Sequence, residues 1–295
     1  MPTTIKQYGK RVVLHLDLKP SSLEMDMIDV ETRIKRFIKS YIENSGAKGI
    51  VLGMSGGIDS NTIAALSALS IGGDRVLGLM LPEKETYNHS DVEDARIVAE
   101  KFGIQTQVCD ITSALNGFYD SIPIFDPNEK LCKGNIKART RMIYIYYHAN
   151  KLNRIVCGSS DKSEAMMGYF TKWGDIAADI SPIMDLYKTQ VRKLAAHIGI
   201  PYALSMKPST PSLWPNQTAE GELGIKYELL DLILFGLERF MAPKEIANQL
   251  GIEELQVEIV KKRWLGVEHK RRMPLTPKLE YRTVGTDFRL PHGAY

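Results

Sequence analysis

Apolar positions along this chain fall into short blocks whose period switches repeatedly between helical and extended. Ile28, Ile34, Phe37, Ile38, Tyr41 and Ile42 share one face at helical spacing, and Gly46 supplies the stop. Residues 49–54 form a short unbroken apolar run, which predicts a buried strand. An apolar helix follows over 61–70, ended by Gly72 and Gly73, and a second strand over 75–81 runs into Pro82. An amphipathic helix over 91–102, a strand over 105–110, a long helix near 135–151 and a strand over 154–158 continue the alternation. Residues 159–184 read as loop-rich, 185–198 as a helix closed by Gly199 and Pro201, and 207–217 as a proline-rich loop. Three short helices are expected from about 222 to 263. Strands alternating with helices predict an α/β fold, a doubly wound and mostly parallel sheet covered on both faces, with helices appended at the C-terminal end. Residues 1–25 show no sustained period and read as a surface arm. One domain is expected over 26–275 and a tail over 276–295, whose aromatic and arginine residues suggest docking on the body.

Composition narrows the function classes. The chain has 295 residues and a formal net charge of only +3, which argues against a chain-wide nucleic-acid footprint and against disorder. The sequence holds neither an apolar run long enough to span a bilayer nor an N-terminal secretory pattern, so no membrane role is expected. Cys109, Cys132 and Cys157 stand alone, without metal-ligand spacing, and read as reduced, buried packing residues of a cytoplasmic protein.

The chemistry is concentrated in V51-L-G-M-S-G-G-I-D-S60. Strand, glycine loop and helix in that order present free backbone N–H groups and a helix N-terminus to an anion. The glycines let the backbone approach a phosphate closely, and Ser55 and Ser60 add hydroxyls. The stretch is neither G-x-x-x-x-G-K-[ST], since it has no lysine, nor G-x-G-x-x-G. Asp59 is the informative residue. A carboxylate inside a phosphate nest repels its ligand unless a divalent cation lies between them, so the loop predicts a nucleotide carried with Mg²⁺. The plainer alternative is a tight turn in which Asp59 only caps a helix.

S-G-G-x-D-S after an apolar strand resembles the signature of the PP-loop ATP pyrophosphatases, which cleave ATP between the α and β phosphates and adenylate a substrate. K133-G-N-I-K-A-R-T-R-M142, S163-E-A-M-M-G-Y-F-T-K-W-G-D175, A177-A-D-I-S-P-I183 and D185-L-Y-K-T-Q-V-R192 resemble, in order and spacing, the blocks of NAD⁺ synthetase. S212-L-W-P-N-Q-T-A-E-G-E-L-G224 and H269-K-R-R272 belong to the same set, which spans about 28–274. The resemblance implies an adenine nucleotide alpha hydrolase-like fold. It also implies conversion of deamido-NAD⁺ to NAD⁺ by way of an adenylated carboxylate, with release of pyrophosphate and AMP.

Carried over residue by residue, the resemblance places ATP at Gly53, Met54, Ser55, Gly56, Gly57, Ile58, Asp59 and Ser60, together with Ser159, Lys188 and Thr210. Ser159 stands where the family usually has Thr. Pro211 and Ser212 replace a more usual Ala-Gly, so the loop shape at Thr210 is open and Ser209 is the fallback hydroxyl. Mg²⁺ falls to Asp59 and Glu164. Deamido-NAD⁺ falls to Arg139, Lys172, Asp179, His269 and Lys270. Adenylation of a carboxylate needs no covalent enzyme nucleophile, and none is nominated. Ammonia must reach the adenylate while water is kept out, so the loops at 83–90 and 203–218 are expected to order over the site. Glutamine-dependent members of the resembled family carry a separate glutaminase domain. Only 54 residues precede Ser55 here, without cysteine, so free ammonia is expected unless a partner subunit supplies it. A homodimer is implied, with Met142, Ile143, Tyr146 and Tyr147 on the long helix serving either as interface or as core. Two competing readings are another PP-loop adenylating enzyme and an adenine-nucleotide sensor that binds without catalysis.

Overall fold

The computed structural model describes the backbone of residues 5–8 and 11–14 and the whole of residues 17–284, 287 and 288. The chain opens with a hairpin, β1 (Ile5–Tyr8) antiparallel to β2 (Arg11–Leu14). Next come α1 (Met27–Ser45), β3 (Ile50–Gly53), α2 (Ile58–Ile71), β4 (Val76–Met80), α3 (His89–Lys101) and β5 (Gln105–Val108). The chain then returns through α4 (Thr112–Ser121) and α5 (Lys130–Leu152) to β6 (Ile155–Val156). The remaining helices are α6 (Lys162–Met167), α7 (Lys188–His197), α8 (Tyr202–Ser205), α9 (Ala219–Leu223), α10 (Tyr227–Leu237), α11 (Pro243–Leu250) and α12 (Glu254–Gly266).

The second sheet is parallel throughout, in the order β5-β4-β3-β6, with Ile50 opposite Val76 on one side and Ile155 on the other. Side chains alternate across it as the two-residue period requires. Ile50 and Leu52 join a core with Ile38 and Ile42 of α1, Ile63 and Leu66 of α2, and Val191 and Leu194 of α7. Val51, Leu77 and Leu79 face the opposite way, onto Ile111, Leu115 and Ala149 under α4 and α5. Both faces of the central strands are thus covered, as the apolar runs imply. The edge strand differs: all four residues of β5 are exposed. Its polar Gln105, Thr106 and Gln107 suit an open edge.

A second core collects Tyr227, Leu230, Ile233 and Leu234 of α10 with α6, α11 and α12. Leu18 and Leu23 are buried in it, so the later part of the stretch expected to be a surface arm is anchored. Four helices, not three, fill 219–266, and α4 was not foreseen. The α1 stripe is Val30, Ile34, Ile38 and Ile42, whereas Ile28 and Phe37 point outward. In the tail, Leu279, Tyr281 and Val284 are largely exposed rather than docked, and residues 285, 286 and 289–295 lie outside the described set.

The cysteines divide by burial. Cys157 is buried, Cys109 half-buried and Cys132, contrary to expectation, exposed on α5. Burial pushes the Cys157 thiol up to about 12. Alkylation of the native protein near pH 8, followed by peptide mapping, should therefore label Cys132 first, with Cys157 modified only after denaturation.

Candidate active site

Strands β3, β4 and β5 step one way across the sheet, and β6 then pairs on the other side of β3. The order reverses between β3 and β6, and in open α/β sheets ligands bind beyond the carboxyl ends of the strands at that point. The Ser-Gly-Gly loop leaves β3 there, and the segment carrying Ser159 and Glu164 leaves β6 beside it.

The loop is held by its own hydroxyls. The Ser60 hydroxyl donates to the Gly57 carbonyl (3.0 Å) and accepts the Ser55 N–H (3.2 Å), and Asn61 Nδ2 donates to the Gly56 carbonyl (3.3 Å). α2 begins at Ile58 with Gly57 as its N-cap and no side-chain cap, so its first N–H groups are free for an anion. Asp59 is inside the helix and does not cap it, which removes the plain-turn alternative. Gly56 has φ +77°, and a Cβ there would lie 2.1 Å from the Asp91 carbonyl oxygen at the start of α3. Both the dihedral and the contact forbid a side chain. Gly56→Ala is expected to cost at least about 1–2 kcal/mol from the left-handed backbone alone, with nucleotide affinity falling too. Thermal melts and ATP titration check both.

Around the α2 N-terminus three carboxylates converge on one ammonium. Lys188 Nζ lies 2.5 Å from Asp59 Oδ2, 2.8 Å from Asp161 Oδ2 and 2.9 Å from Glu164 Oε1, with its side chain fully buried. Burial opposes its charge, but the three acids overcome this and hold Lys188 well above the usual lysine range. Burial likewise raises Glu164 well above the carboxylate range against the pull of Lys188, with Asp161 and Asp59 adding to the rise. One cation among three acids leaves the cluster short of positive charge. Asp59 Oδ1 is buried without a partner, and the three residues offer oxygens within 4.8 Å of one another. An all-oxygen set with a surplus of negative charge fits a hard divalent cation such as Mg²⁺.

Asp161 was missed from sequence. It caps α6 by accepting the Glu164 N–H (2.8 Å), and its place three residues before an acid at a helix start was the available signal. Asp231 and Tyr227 on α10 were also missed. Fully buried Asp231 accepts the Ser163 hydroxyl (2.5 Å) and the Thr189 N–H (2.9 Å), tying α6 to the start of α7. Burial drives its carboxyl up to about 7. The Tyr227 ring centroid is 5.3 Å from Lys188 Nζ.

A cavity of about 630 Å³ opens from this cluster. Its walls include Gly53, Met54, Ser55, Gly57, Ile58, Asp59 and Ser60, with Ser159, Glu164 and Thr210. Arg139, Lys172, His269 and Lys270 line it as well, linked by their own contacts. The Arg139 guanidinium reaches the Lys172 carbonyl (3.2 Å), and Lys172 Nζ reaches the His269 carbonyl (2.8 Å). Lys270 Nζ donates to the Gly168 and Phe170 carbonyls. Gly56 and Lys188 stand behind the wall. Asp179 is not part of it: this exposed residue accepts the Val156 N–H (2.7 Å), and Tyr146 lies 3.4 Å away. Thr210 Oγ1 accepts the Ser212 N–H (3.1 Å), while the Ser209 hydroxyl is buried without a partner. Ser212 takes the left-handed conformation, φ +48°, that the more usual glycine would adopt freely.

A glycine loop and acidic cluster at the switch point of a parallel sheet define a nucleotide-binding α/β protein of the PP-loop class. The chain belongs to the NAD synthase family, whose model matches residues 30–274. It is 46% identical to the NH₃-dependent NAD⁺ synthetase of Methanocaldococcus jannaschii over 257 residues, 86% of this chain and 98% of that one. The corresponding protein of Thermococcus kodakarensis is 46% identical over 250 residues, covering 84% and 96%. Among solved structures, the NMN synthetase of Francisella tularensis superposes with a TM-score of 0.76 at 31% identity, covering 87% of this chain and all of that one. The NH₃-dependent NAD synthetase of Campylobacter jejuni gives 0.72 at 27%, covering 86% and 100%.

Proposed function

We infer that this protein amidates deamido-NAD⁺ to NAD⁺ with ammonia, at the expense of ATP. One observation carries the reading. Relatives named as NH₃-dependent NAD⁺ synthetases match this chain at 41–46% identity over 91–100% of their own lengths. In the first step the nicotinate carboxylate attacks the α-phosphorus of ATP, a C–O–P link forms, and the bond to the β-phosphate breaks to release pyrophosphate. In the second, ammonia attacks the acyl carbon, the C–N bond forms, and AMP leaves.

The chain's own residues bind, orient and exclude water. The free N–H groups at the α2 N-terminus and the hydroxyls of Ser55, Ser159 and Thr210 receive phosphate and ribose oxygens. Lys188, behind the wall with its ammonium bonded to Asp59, Asp161 and Glu164, holds these acids in place beside the phosphates. Arg139, Lys172, His269 and Lys270 give the cavity the donors that an anionic dinucleotide requires. Mg²⁺ held by Asp59 and Glu164, with Asp161 adjoining, would supply neutralisation of the phosphate oxygens.

The exposed apolar Ile143 and Tyr147 on α5, with Met142 and Tyr146 on the same helix, support a homodimer in which Asp179 faces a second copy's ligand. No described helix is long and apolar enough to cross a membrane, and unpaired thiols suit the cytoplasm. Residues 26–275 are read as one catalytic domain.

A single assay tests the function. The protein is incubated with ATP, Mg²⁺, deamido-NAD⁺ and ammonium, and AMP, pyrophosphate and NAD⁺ are measured. Equimolar formation of all three is expected, with little NAD⁺ when glutamine replaces ammonium. ATP binding without pyrophosphate release would overturn the reading in favour of a sensor. The Francisella likeness motivates a second substrate arm, nicotinic acid mononucleotide, for which a lower kcat/KM is expected.

A further inference from the structure

Lys137, on the inner face of α5, is 1% exposed and outside the cavity wall, yet all three of its ammonium protons have partners from the loops that roof the cavity. Nζ donates to Glu83 Oε1 (2.7 Å), Glu85 Oε2 (2.7 Å) and the Leu213 carbonyl (2.9 Å). Two of these belong to the loop after β4, and the third to the proline-rich loop that carries Thr210. Glu83 organises its own loop, accepting the Glu85 N–H (2.8 Å) and the Thr86 N–H (3.1 Å). Burial opposes the charge of Glu83, but Lys137 and these donors hold it below its ordinary value. The single Thr86 hydroxyl proton is shared between Glu83 Oε1 (2.7 Å) and the Ser212 carbonyl (3.0 Å), a second and weaker tie between the loops.

The far loop would not hold this shape unaided. Ser212 is in the left-handed region, where a non-glycine residue persists only when its surroundings over-determine it. Here the surroundings are specific: Thr86 takes the carbonyl of Ser212, and Lys137 takes the carbonyl of the next residue, Leu213. If the proline-rich loop withdrew, one proton of a buried ammonium would lose its acceptor. Burying a charge is tolerated only where its hydrogen bonds are complete. The arrangement therefore favours the joined loops over the parted ones.

We propose that Lys137 is a positioning residue that locks the 83–87 and 209–214 loops together. In this role it fixes Thr210 over the nucleotide and keeps water from the adenylate before ammonia arrives. The proposal rests on the ligase reading above, because its consequence concerns an intermediate that water can intercept. Lys137 touches no substrate and supplies no proton to the reaction.

The test compares wild type, Lys137→Met and Thr86→Val for steady-state kinetics, for the ratio of AMP released to NAD⁺ formed, and for hydrogen–deuterium exchange of the two loops. In Lys137→Met the KM for ATP is expected to rise by about tenfold or more. AMP release should exceed NAD⁺ formation, and exchange should quicken in both loops but not in β3 or β4. Thr86→Val removes the second tie and the hydroxyl bond to Glu83 but leaves Glu83 paired with Lys137, so it should shift all three readouts the same way by less. It keeps the proposal testable if Lys137→Met does not fold. A folded Lys137→Met with wild-type KM, stoichiometry and loop exchange would overturn the proposal, as would wild-type values in Thr86→Val if the lysine variant is lost. A wild-type protein that makes no NAD⁺ would instead sink the ligase reading, and loop exchange would still report whether Lys137 holds the loops.

Discussion

Asp59→Asn is expected to lower kcat/KM by about a thousandfold, the scale seen when one electrostatic element of a transition-state site is removed, while leaving the melting temperature unchanged or raised. The two halves of that result have one cause. Asp59 belongs to a cluster of three carboxylates around one ammonium, so removing an acid relieves repulsion in the free protein. The same acid offers a buried, unpartnered oxygen beside the phosphate-binding N-terminus of α2, which is where a divalent cation is needed. Activity, Mg²⁺ titration by calorimetry and thermal melts measure the three quantities separately. Full activity in the variant, or Mg²⁺ affinity unaltered by it, would remove the basis for the site.

Lys188→Met should do the opposite to stability. It leaves Asp161 and Glu164 in a buried pocket without their counter-ion, and breaking a buried pair from one side typically costs about 3–5 kcal/mol. Turnover should fall by about a hundredfold or more, because Asp59 and Glu164 are no longer held in place at the phosphate site. The pH dependence has a definite sign. In the variant the folded-state pKa values of these acids rise further above their unfolded values. Stability associated with them is then present at low pH and lost as pH rises through the raised values. The deficit relative to wild type should thus shrink on going from pH 8 towards pH 5. Added Mg²⁺ should raise the melting temperature of the variant more than that of wild type, since a divalent cation can take the place of the ammonium. Equal melting temperatures for the two proteins across that pH range would contradict the assignment.

What could be read in the sequence was what depends on neighbours along the chain. The β3–loop–α2 unit was legible because glycine chemistry, the apolar run and the helix start lie within ten residues. Asp59 was legible from the chemistry of its own loop and Glu164 and Lys188 through block resemblance, and the structure brings both carboxylates within hydrogen-bonding distance of the Lys188 ammonium. The buried charges were not legible. Lys137 is 54 residues from Glu83 and Asp231 is 68 from Ser163, and each looked like an ordinary polar position on a helix. Strand β6 came out at two residues instead of five. The Cys157 N–H still reaches the Val51 carbonyl. On the outer edge the Asp179 side chain accepts the Val156 N–H, while the N–H groups of Asp179 and Ile180 donate to the Val156 carbonyl. Asp179 was assigned a ligand role, but within one chain it serves the end of a strand.

The carboxylate of Asp231 gives the later helices a standing they would not have as mere padding. It is the joint through which α10 grips both the hydroxyl beside Glu164 and the backbone immediately after Lys188. Lesions in the second core therefore propagate to the reacting centre without touching a substrate. Trimming or exchanging those helices would disarm the enzyme even if the parallel sheet stayed whole.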